Sequence, residues 1–204
     1  TISIPSASSR DLAFSNFRAN SLCEFNHVIV EKKQVRFAQN FLMDFSTDFT
    51  NDDLQKMISS QEYLNNVSNI KLKVGGFSLL QVKQPTVQIK SGNIQLDFGI
   101  ETPLLFVNVV DKITVCAKLK AENGKLQLAN MRVNNTKYDI GLLLPIINLI
   151  NPLSFESTFA DNAGIAQIKN VDIIDDRVSL SGMVFIPQNK VIKKGLGFIT
   201  QSLF

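Results

Sequence analysis

The sequence predicts an α+β domain in which antiparallel sheet predominates. Three features carry this prediction: a capped helix near Thr50, alternating apolar and polar residues in the segments that follow, and an apolar run over residues 139–153 that separates two sets of strands. The composition is 45% hydrophobic and 19% charged, which is enough to build a packed core. At 204 residues, the chain fits a single globular domain.

Residues 1–49 carry the weakest pattern. The polar stretch over residues 1–10 predicts a loose amino-terminal arm, and the β-branched residues within 25–37 predict a strand or a strand pair. The chain begins at Thr1 without a hydrophobic signal core, as it would after removal of a leader or after trimming. We expect that a leader was removed and that the protein is exported.

A helix is predicted to begin after Thr50. Asp53 stands three residues later, where its carboxylate can complete a capping box in place of the usual Glu. The apolar residues that follow at helical spacing are Leu54, Met57, Ile58 and Leu64.

After this helix, the spacing of apolar residues changes from helical to alternating. Residues 69–74, 77–82, 86–90 and 94–100 read as strands, with breaks at Gly75-Gly76, at Pro85 and at a turn over Ser91-Gly92-Asn93. Residues 113–121 and 126–133 flank Asn123-Gly124, the strongest short-range signal for a hairpin with a type I′ turn. The sequence therefore predicts a half-buried antiparallel meander.

The run over residues 139–153 is too long for a typical strand and too short to span a membrane. It is predicted to form a helix interrupted by Pro145. Further strands are predicted at 155–159, at 165–171 and as a hairpin of 171–174 with 178–186, which Pro187 ends. The tail, residues 190–204, is predicted to form an amphipathic helix.

Recognisable catalytic or cofactor chemistry is missing from the sequence. The only histidine is His27, and neither a nucleophile elbow nor a glycine-rich phosphate loop occurs. The acid pairs Asp52-Asp53 and Asp175-Asp176 suit a helix start and a turn. We therefore expect no enzyme, no metal and no cofactor, although two acids converging in a cleft would permit a glycosidase.

Cysteine and charge patterns exclude other classes. Cys23 and Cys116 have no metal-site spacing, and they can form one disulfide or remain two buried thiols. The net charge of +3 is spread along the chain, so nucleic-acid binding is not expected. The aromatic residues are 15 Phe, 2 Tyr and no Trp, a balance that suits packing or acyl chains better than sugar or base recognition.

The order of segments resembles the TULIP-like lipid-binding superfamily, and within it the bacterial LmeA-like phospholipid-binding and YceB-like envelope lipoprotein families. The resemblance is carried by AKLKAENGKLQLANMRV, then GLLLPIINLINPL, then VDIIDDRVSLSGMVFIP, with TNDDLQKMI as the opening helix. It implies a curved antiparallel sheet, or half-barrel, wrapped around one or two helices. It divides the chain into an arm and first strands (1–49), a lipid-binding core (50–187) and a terminal helix (188–204).

The resemblance also implies an elongated apolar cavity for a phospholipid or another acyl-chain ligand, with no catalytic residues, in the cell envelope or periplasm. The residues predicted to contact the ligand are Leu54, Met57, Ile58, Leu96, Phe98, Val115, Leu119, Leu142, Ile146, Leu149 and Ile150. Lys190, Lys193 and Lys194 are predicted to touch an anionic membrane surface.

Apolar periodicity does not separate residues that line a cavity from residues that fill a core. The alternative is therefore a structural or protein-interaction domain whose apolar helix is only core.

Overall fold

The structure is a computed structural model, and it describes residues 1–8, 13–21, 28–31, 34–68, 71–74, 77–104, 107–134, 139–153, 165–188 and 191–193. The helices in these residues are α1 (Asn51–Ile58), α2 (Gln61–Ser68) and α3 (Ile140–Ile150). The strands are β1 (Ile2–Ser8), β2 (Ala13–Ser21), β3 (Val28–Glu31), β4 (Gln34–Phe37), β5 (Phe41–Thr50), β6 (Lys71–Val74), β7 (Phe77–Lys90), β8 (Asn93–Leu104), β9 (Val107–Glu122), β10 (Lys125–Val133), β11 (Ile165–Ile174), β12 (Arg177–Ile186) and β13 (Val191–Lys193).

Two five-stranded sheets make up most of the described chain. The first sheet has the order β1-β2-β5-β12-β11, and the second has the order β10-β9-β8-β7-β6. A small third sheet has the order β13-β4-β3. Neighbouring strands pair antiparallel in all three. The predicted α+β class with antiparallel sheet is confirmed.

The prediction of a loose amino-terminal arm is wrong. Residues 2–8 form β1, which pairs with β2 from Ile2 opposite Ala19 to Ser8 opposite Ala13. Pro5 is tolerated because β1 is the edge strand of the first sheet. The local pattern missed these strands because their support is tertiary: β2 pairs with β5, whose partner residues lie 22 to 33 positions later. The strand pair predicted within residues 25–37 is confirmed as β3 and β4.

The capping box at the start of α1 is confirmed. The Thr50 hydroxyl accepts from the Asp53 N–H at 3.2 Å, and the Asp53 carboxylate accepts from the Thr50 N–H at 3.0 Å. The helix ends at Ile58 and α2 starts at Gln61. The predicted apolar stripe therefore stops at Ile58, and Leu64 on α2 is 45% exposed.

The second sheet is the predicted meander with one change. Residues 77–82 and 86–90 belong to one strand, β7, whose register shifts between Lys83 and Thr86, around Pro85. Such a bulge accommodates the missing N–H of proline. The β9–β10 turn has φ of 53° at Asn123 and 77° at Gly124, as a type I′ turn requires.

The apolar run forms the predicted helix, α3, but the helix continues through Pro145 and is not interrupted there. Asp139 is its N-cap, and the Asp139 carboxylate accepts from the Gly141 N–H at 2.6 Å. Pro145 lies inside the helix and leaves the Gly141 carbonyl without its usual N–H donor. Gly141 and Pro145 are both exposed, so water can supply that hydrogen bond.

The predicted hairpin after α3 is confirmed as β11 and β12, and β12 ends at Ile186 before Pro187. The strand predicted at 155–159 lies outside the described residues. The prediction of a terminal helix is wrong at 191–193, because these residues form β13 and pair with β4. Residues 194–204 lie outside the described part of the chain.

A single large apolar cluster joins both five-stranded sheets and all three helices. Helix α1 contacts β7 of the second sheet and both β2 and β5 of the first. The sheets also meet where the Ile168 N–H of β11 donates to the Gly124 carbonyl in the β9–β10 turn, at 2.8 Å. The two sheets and the helices therefore share one interior.

Candidate apolar ligand site

Alternation in the second sheet points one set of side chains into the shared interior. On β8, Leu96 is 0% exposed and Phe98 is 3% exposed, and Val115 on β9 is 0% exposed. Leu96 is directly opposite Val115 in the register. Leu119, further along β9, is partly buried and packs against the same cluster. The structure thus brings together all four sheet residues predicted to contact a ligand.

Helix α1 is held against the second sheet by two amide side chains. The Asn51 side chain makes the two hydrogen bonds that a neighbouring strand would make: it accepts from the Ile89 N–H at 2.7 Å and donates to the Ile89 carbonyl at 3.3 Å. Gln55 donates to the Val87 carbonyl at 3.1 Å. These contacts provide hydrogen-bond partners for the backbone of β7 along the part of its edge that does not pair with β6. They direct the predicted residues Leu54, Met57 and Ile58 into the interior, where all three are buried.

The same helix is tied to the first sheet by a buried carboxylate. Asp53 is 3% exposed, and its Oδ2 accepts from the Ser15 hydroxyl on β2 and from the Thr50 hydroxyl, each at 2.8 Å. Sequence reasoning identified Asp53 as a cap only, because its contact with Ser15 joins residues 38 positions apart.

Helix α3 buries one face and exposes the other. Leu143, Ile146, Ile147 and Ile150 are at most 1% exposed, whereas Leu149 is 61% exposed. Two predicted ligand residues, Ile146 and Ile150, therefore join the interior and Leu149 does not. Leu142 belongs to α3, and its side chain lies outside the description.

A tyrosine anchors the end of α3. The Tyr63 hydroxyl on α2 donates to the Ile150 carbonyl at 2.6 Å. This carbonyl is one of the last four of the helix, which lack intrahelical donors. Burial raises the pKa of the Tyr63 hydroxyl, because desolvation disfavours the phenolate. The neutral hydroxyl is thus kept as a donor.

The deep part of the interior is filled by side chains. Leu54, Leu96, Val115 and Ile146 have 0% exposure, so no space as large as a water molecule adjoins them. An acyl chain reaches these residues only if the side chains that cover them are displaced.

The interior is less well covered at one border, which we call the apolar rim. Its residues face inward from β9, β10 and β11 and pack against the large cluster, but they stay partly exposed. They are Leu119, Ala121, Leu126, Leu128, Met131, Val133, Val171 and Ile173. Strands β10 and β11 are edge strands of different sheets, so the rim lies where both sheets end. Apart from Leu119, the rim was not predicted as a ligand site, because alternation gives the facing of a residue but not whether another element covers it.

The other candidate groups have ordinary settings or lie outside the description. Cys116 is a free thiol on the outward side of β9, half-buried. Asp52 is exposed, and Asp175 and Asp176 occupy the β11–β12 turn. Cys23, His27, Lys190 and Lys194 lie outside the described residues, and Lys193 is in β13.

Comparison with protein-family models, with curated proteins and with solved structures finds no match to this chain. In the described part of the chain, no helix has both the length and the apolar character needed to cross a bilayer. The geometry of the interior and of its rim is therefore the basis on which a function can be proposed.

Proposed function

We propose that this protein binds or carries a lipid without catalysing a reaction, and that an acyl chain lies along the apolar rim. The observation that carries the proposal is the uniform apolar character of the inward side of β9 and β10. From Ile113 to Val133 on these two strands, the inward positions that pack on the core are all occupied by Ile, Val, Leu, Ala or Met.

Partial exposure makes the rim the accessible part of this surface. Its residues already contact the core, so a bound chain would extend an existing apolar interior. Each methylene group removed from water stabilises a complex by about 0.8 kcal/mol, so a modest length of acyl chain supplies useful affinity. Within the described residues, β10 and β11 are edge strands of different sheets, and β11 lies against β9 and β10 at this border, where the rim side chains stay partly exposed.

The proposal keeps the lipid-binding function expected from the TULIP-like resemblance, together with export to the cell envelope, and moves the first contact from the deep residues to the rim. In this proposal, Leu119 is shared by the predicted site and the rim. Contact with Leu96, Val115 and Ile146 would follow only after an element that covers them moves, since these residues have no accessible surface.

A pyrene-labelled fatty acid tests the proposal. The double variant Leu128→Gln/Met131→Gln introduces polar groups at two half-buried rim positions of β10 and should weaken binding by about tenfold or more. Val110→Gln is the matched control, because Val110 is also a strand residue but is 49% exposed and lies outside the rim. Thermal unfolding of each variant establishes that it is folded.

Native mass spectrometry of the gently purified wild type provides a second measurement, and copurified lipid is expected. Wild-type protein that binds no fatty acid and carries no lipid would overturn the proposed function. Equal binding by wild type and the double variant would remove the rim as the site.

The exposed apolar residues of α3 favour one second candidate, the protein-interaction domain. Ile140 is 43% exposed and Leu149 is 61% exposed, and α3 contains no charged residue that would keep this face in water. Leu149→Gln should leave fatty-acid binding unchanged if the rim is the lipid site, and should weaken partner binding if this face is an interface.

A further inference from the structure

The outward face of the second sheet gathers basic side chains that are scattered in the sequence. Alternation places these residues opposite the buried positions of β7, β8, β9 and β10. The basic ones are Lys83, Lys90, Lys112, Lys118, Lys120, Lys125 and Arg132, and the acidic ones are Asp97, Glu101 and Glu122. The net charge of these described positions is +4, which exceeds the +3 of the whole chain.

The register shows how the cations are arranged. Lys90 is opposite Asn93, and Lys118 is opposite Ala129 in the row that contains Asn93. Lys90 and Lys118 are therefore two strands apart, about 10 Å. Arg132 lies in the adjacent row, opposite Cys116. The cations thus spread over a surface four strands wide.

The acids on this face are already engaged. Glu101 pairs with Lys83 at 3.0 Å and Glu122 pairs with Lys120 at 3.4 Å. Asp97 accepts from Thr114 and Gln95 at 2.5 and 2.8 Å. Within the described residues, Lys90, Lys112, Lys118 and Arg132 have no ion-pair partner, and all four are exposed.

We propose that this cationic face, the outward side of β7–β10, docks on an anionic lipid bilayer. The inference rests on the proposed lipid function, because a lipid carrier must meet a membrane. Strands β9 and β10 carry cations on one side and the apolar rim on the other. Docking would therefore hold the rim within about 10 Å of the headgroups, the thickness of one sheet layer.

The chemistry of the face favours a bilayer over the other anionic surfaces. Where the structure describes the outward side chains of β7–β10, none of them is an aromatic ring on which bases could stack. Lysines distributed over a broad surface match the diffuse negative potential of anionic headgroups. A second copy offers few free acids: in the first sheet, Asp44 pairs with Lys169 at 3.3 Å and Asp48 with Arg177 at 3.7 Å, which leaves Asp172 and the turn residues Asp175 and Asp176 without an ion pair in the described residues.

Cosedimentation with phosphatidylcholine vesicles, with and without phosphatidylglycerol, tests the inference. Wild type should bind the anionic vesicles preferentially, and added salt should weaken that binding. The variant Lys90→Glu/Lys118→Glu/Arg132→Glu should bind them more than about tenfold more weakly. The control Arg18→Glu/Arg36→Glu/Lys56→Glu makes the same change in net charge at exposed positions elsewhere and should keep most of the binding. If the first triple variant does not fold, the corresponding Gln variant replaces it.

Several results would overturn the inference. These are equal vesicle binding by wild type and the first triple variant, no preference of wild type for phosphatidylglycerol, tighter binding of wild type to a DNA duplex than to vesicles, or self-association that the triple variant abolishes. Wild type that binds the fatty acid but not anionic vesicles overturns docking alone. Wild type that docks but never binds the fatty acid or carries lipid overturns the proposed function alone.

Discussion

The Tyr63 hydroxyl donates to the Ile150 carbonyl at 2.6 Å and thereby joins α2 to the end of α3, across 87 residues of sequence. The Asn151 N–H closes the same end of the helix by donating to the Ile147 carbonyl at 3.0 Å. The position of α3 thus depends on a hydrogen bond to α2 as well as on apolar packing within the shared cluster.

Replacing Tyr63 with Phe should lower the free energy of unfolding by about 1 kcal/mol, because it keeps the ring and removes the donor. Urea denaturation at neutral pH measures this difference. Leu64→Ala is the neighbouring control and should change stability by less than about 0.5 kcal/mol, since Leu64 is 45% exposed. A Tyr63→Phe protein as stable as wild type would show that the hydrogen bond contributes nothing net.

The same tyrosine predicts a pH dependence. Its pKa is raised in the folded state by burial, so above the ordinary tyrosine pKa of about 10 the unfolded chain loses the proton while the folded chain retains it. The stabilisation is complete below that pH and is lost as pH rises further. Wild type should therefore lose stability more steeply than Tyr63→Phe in alkaline urea titrations. Parallel curves for the two proteins would contradict the prediction.

Asp53→Ala should destabilise the fold by about 2 kcal/mol, because it removes a cap and leaves the Ser15 and Thr50 hydroxyls without their acceptor. Asp52→Ala is a closely matched control: it removes the adjacent carboxylate, which is exposed, and should cost about 0.5 kcal/mol or less. Chemical denaturation of both variants measures the difference. Similar losses for the two would show that helix-start charge, and not the buried contact, is responsible.

Gly182→Ala should destabilise by about 3 kcal/mol. A Cβ at this position would overlap the Gln167 carbonyl oxygen and lie 2.9 Å from the Phe45 ring. The backbone of β11 cannot easily retreat, because Gln167 and Ile168 pair with Met183 and Gly182 of β12, and the Ile168 N–H also donates to the Gly124 carbonyl.

Gly99→Ala is the contrasting variant for this prediction. Its Cβ would meet the Val110 side chain at 2.8 Å, but Val110 is 49% exposed and can move. We expect a loss below about 1 kcal/mol, measured by thermal unfolding. Equal losses for the two alanine variants would exclude the backbone contact as the cause.

Much of the fold follows from local patterns. The capping box at Thr50 and Asp53, the Asn123-Gly124 turn and the alternation along β8 and β9 each specify their structure within a few residues. Strands β1 and β2 were missed because their support is the pairing of β2 with β5. The helical reading of the tail failed at residues 191–193 because they pair with β4, and a periodic pattern carries no information about such a partner.

The site was predictable to a similar extent. The period of the apolar pattern determines which side of the sheet a side chain faces, so Leu96, Phe98 and Val115 were correctly placed on one inward surface. The local sequence does not show whether another element covers a side chain. Leu149 therefore resembled its neighbours on α3, although it is 61% exposed. Charge behaves in the same way: Lys90, Lys118 and Arg132 are far apart in the sequence, and antiparallel pairing alone brings them to one face.

The pairing of β5 with β12, which sets Thr50 opposite Arg177, has a consequence for the order of folding. The second sheet is built from successive hairpins between residues 71 and 133, so short loops suffice to close it. The first sheet must join segments more than 120 residues apart, and its closure carries the larger entropic cost. During synthesis, the first sheet therefore remains incomplete until the β11–β12 hairpin has been made. Until then, the edge of β5 that pairs with β12 is unpaired and can pair with other chains.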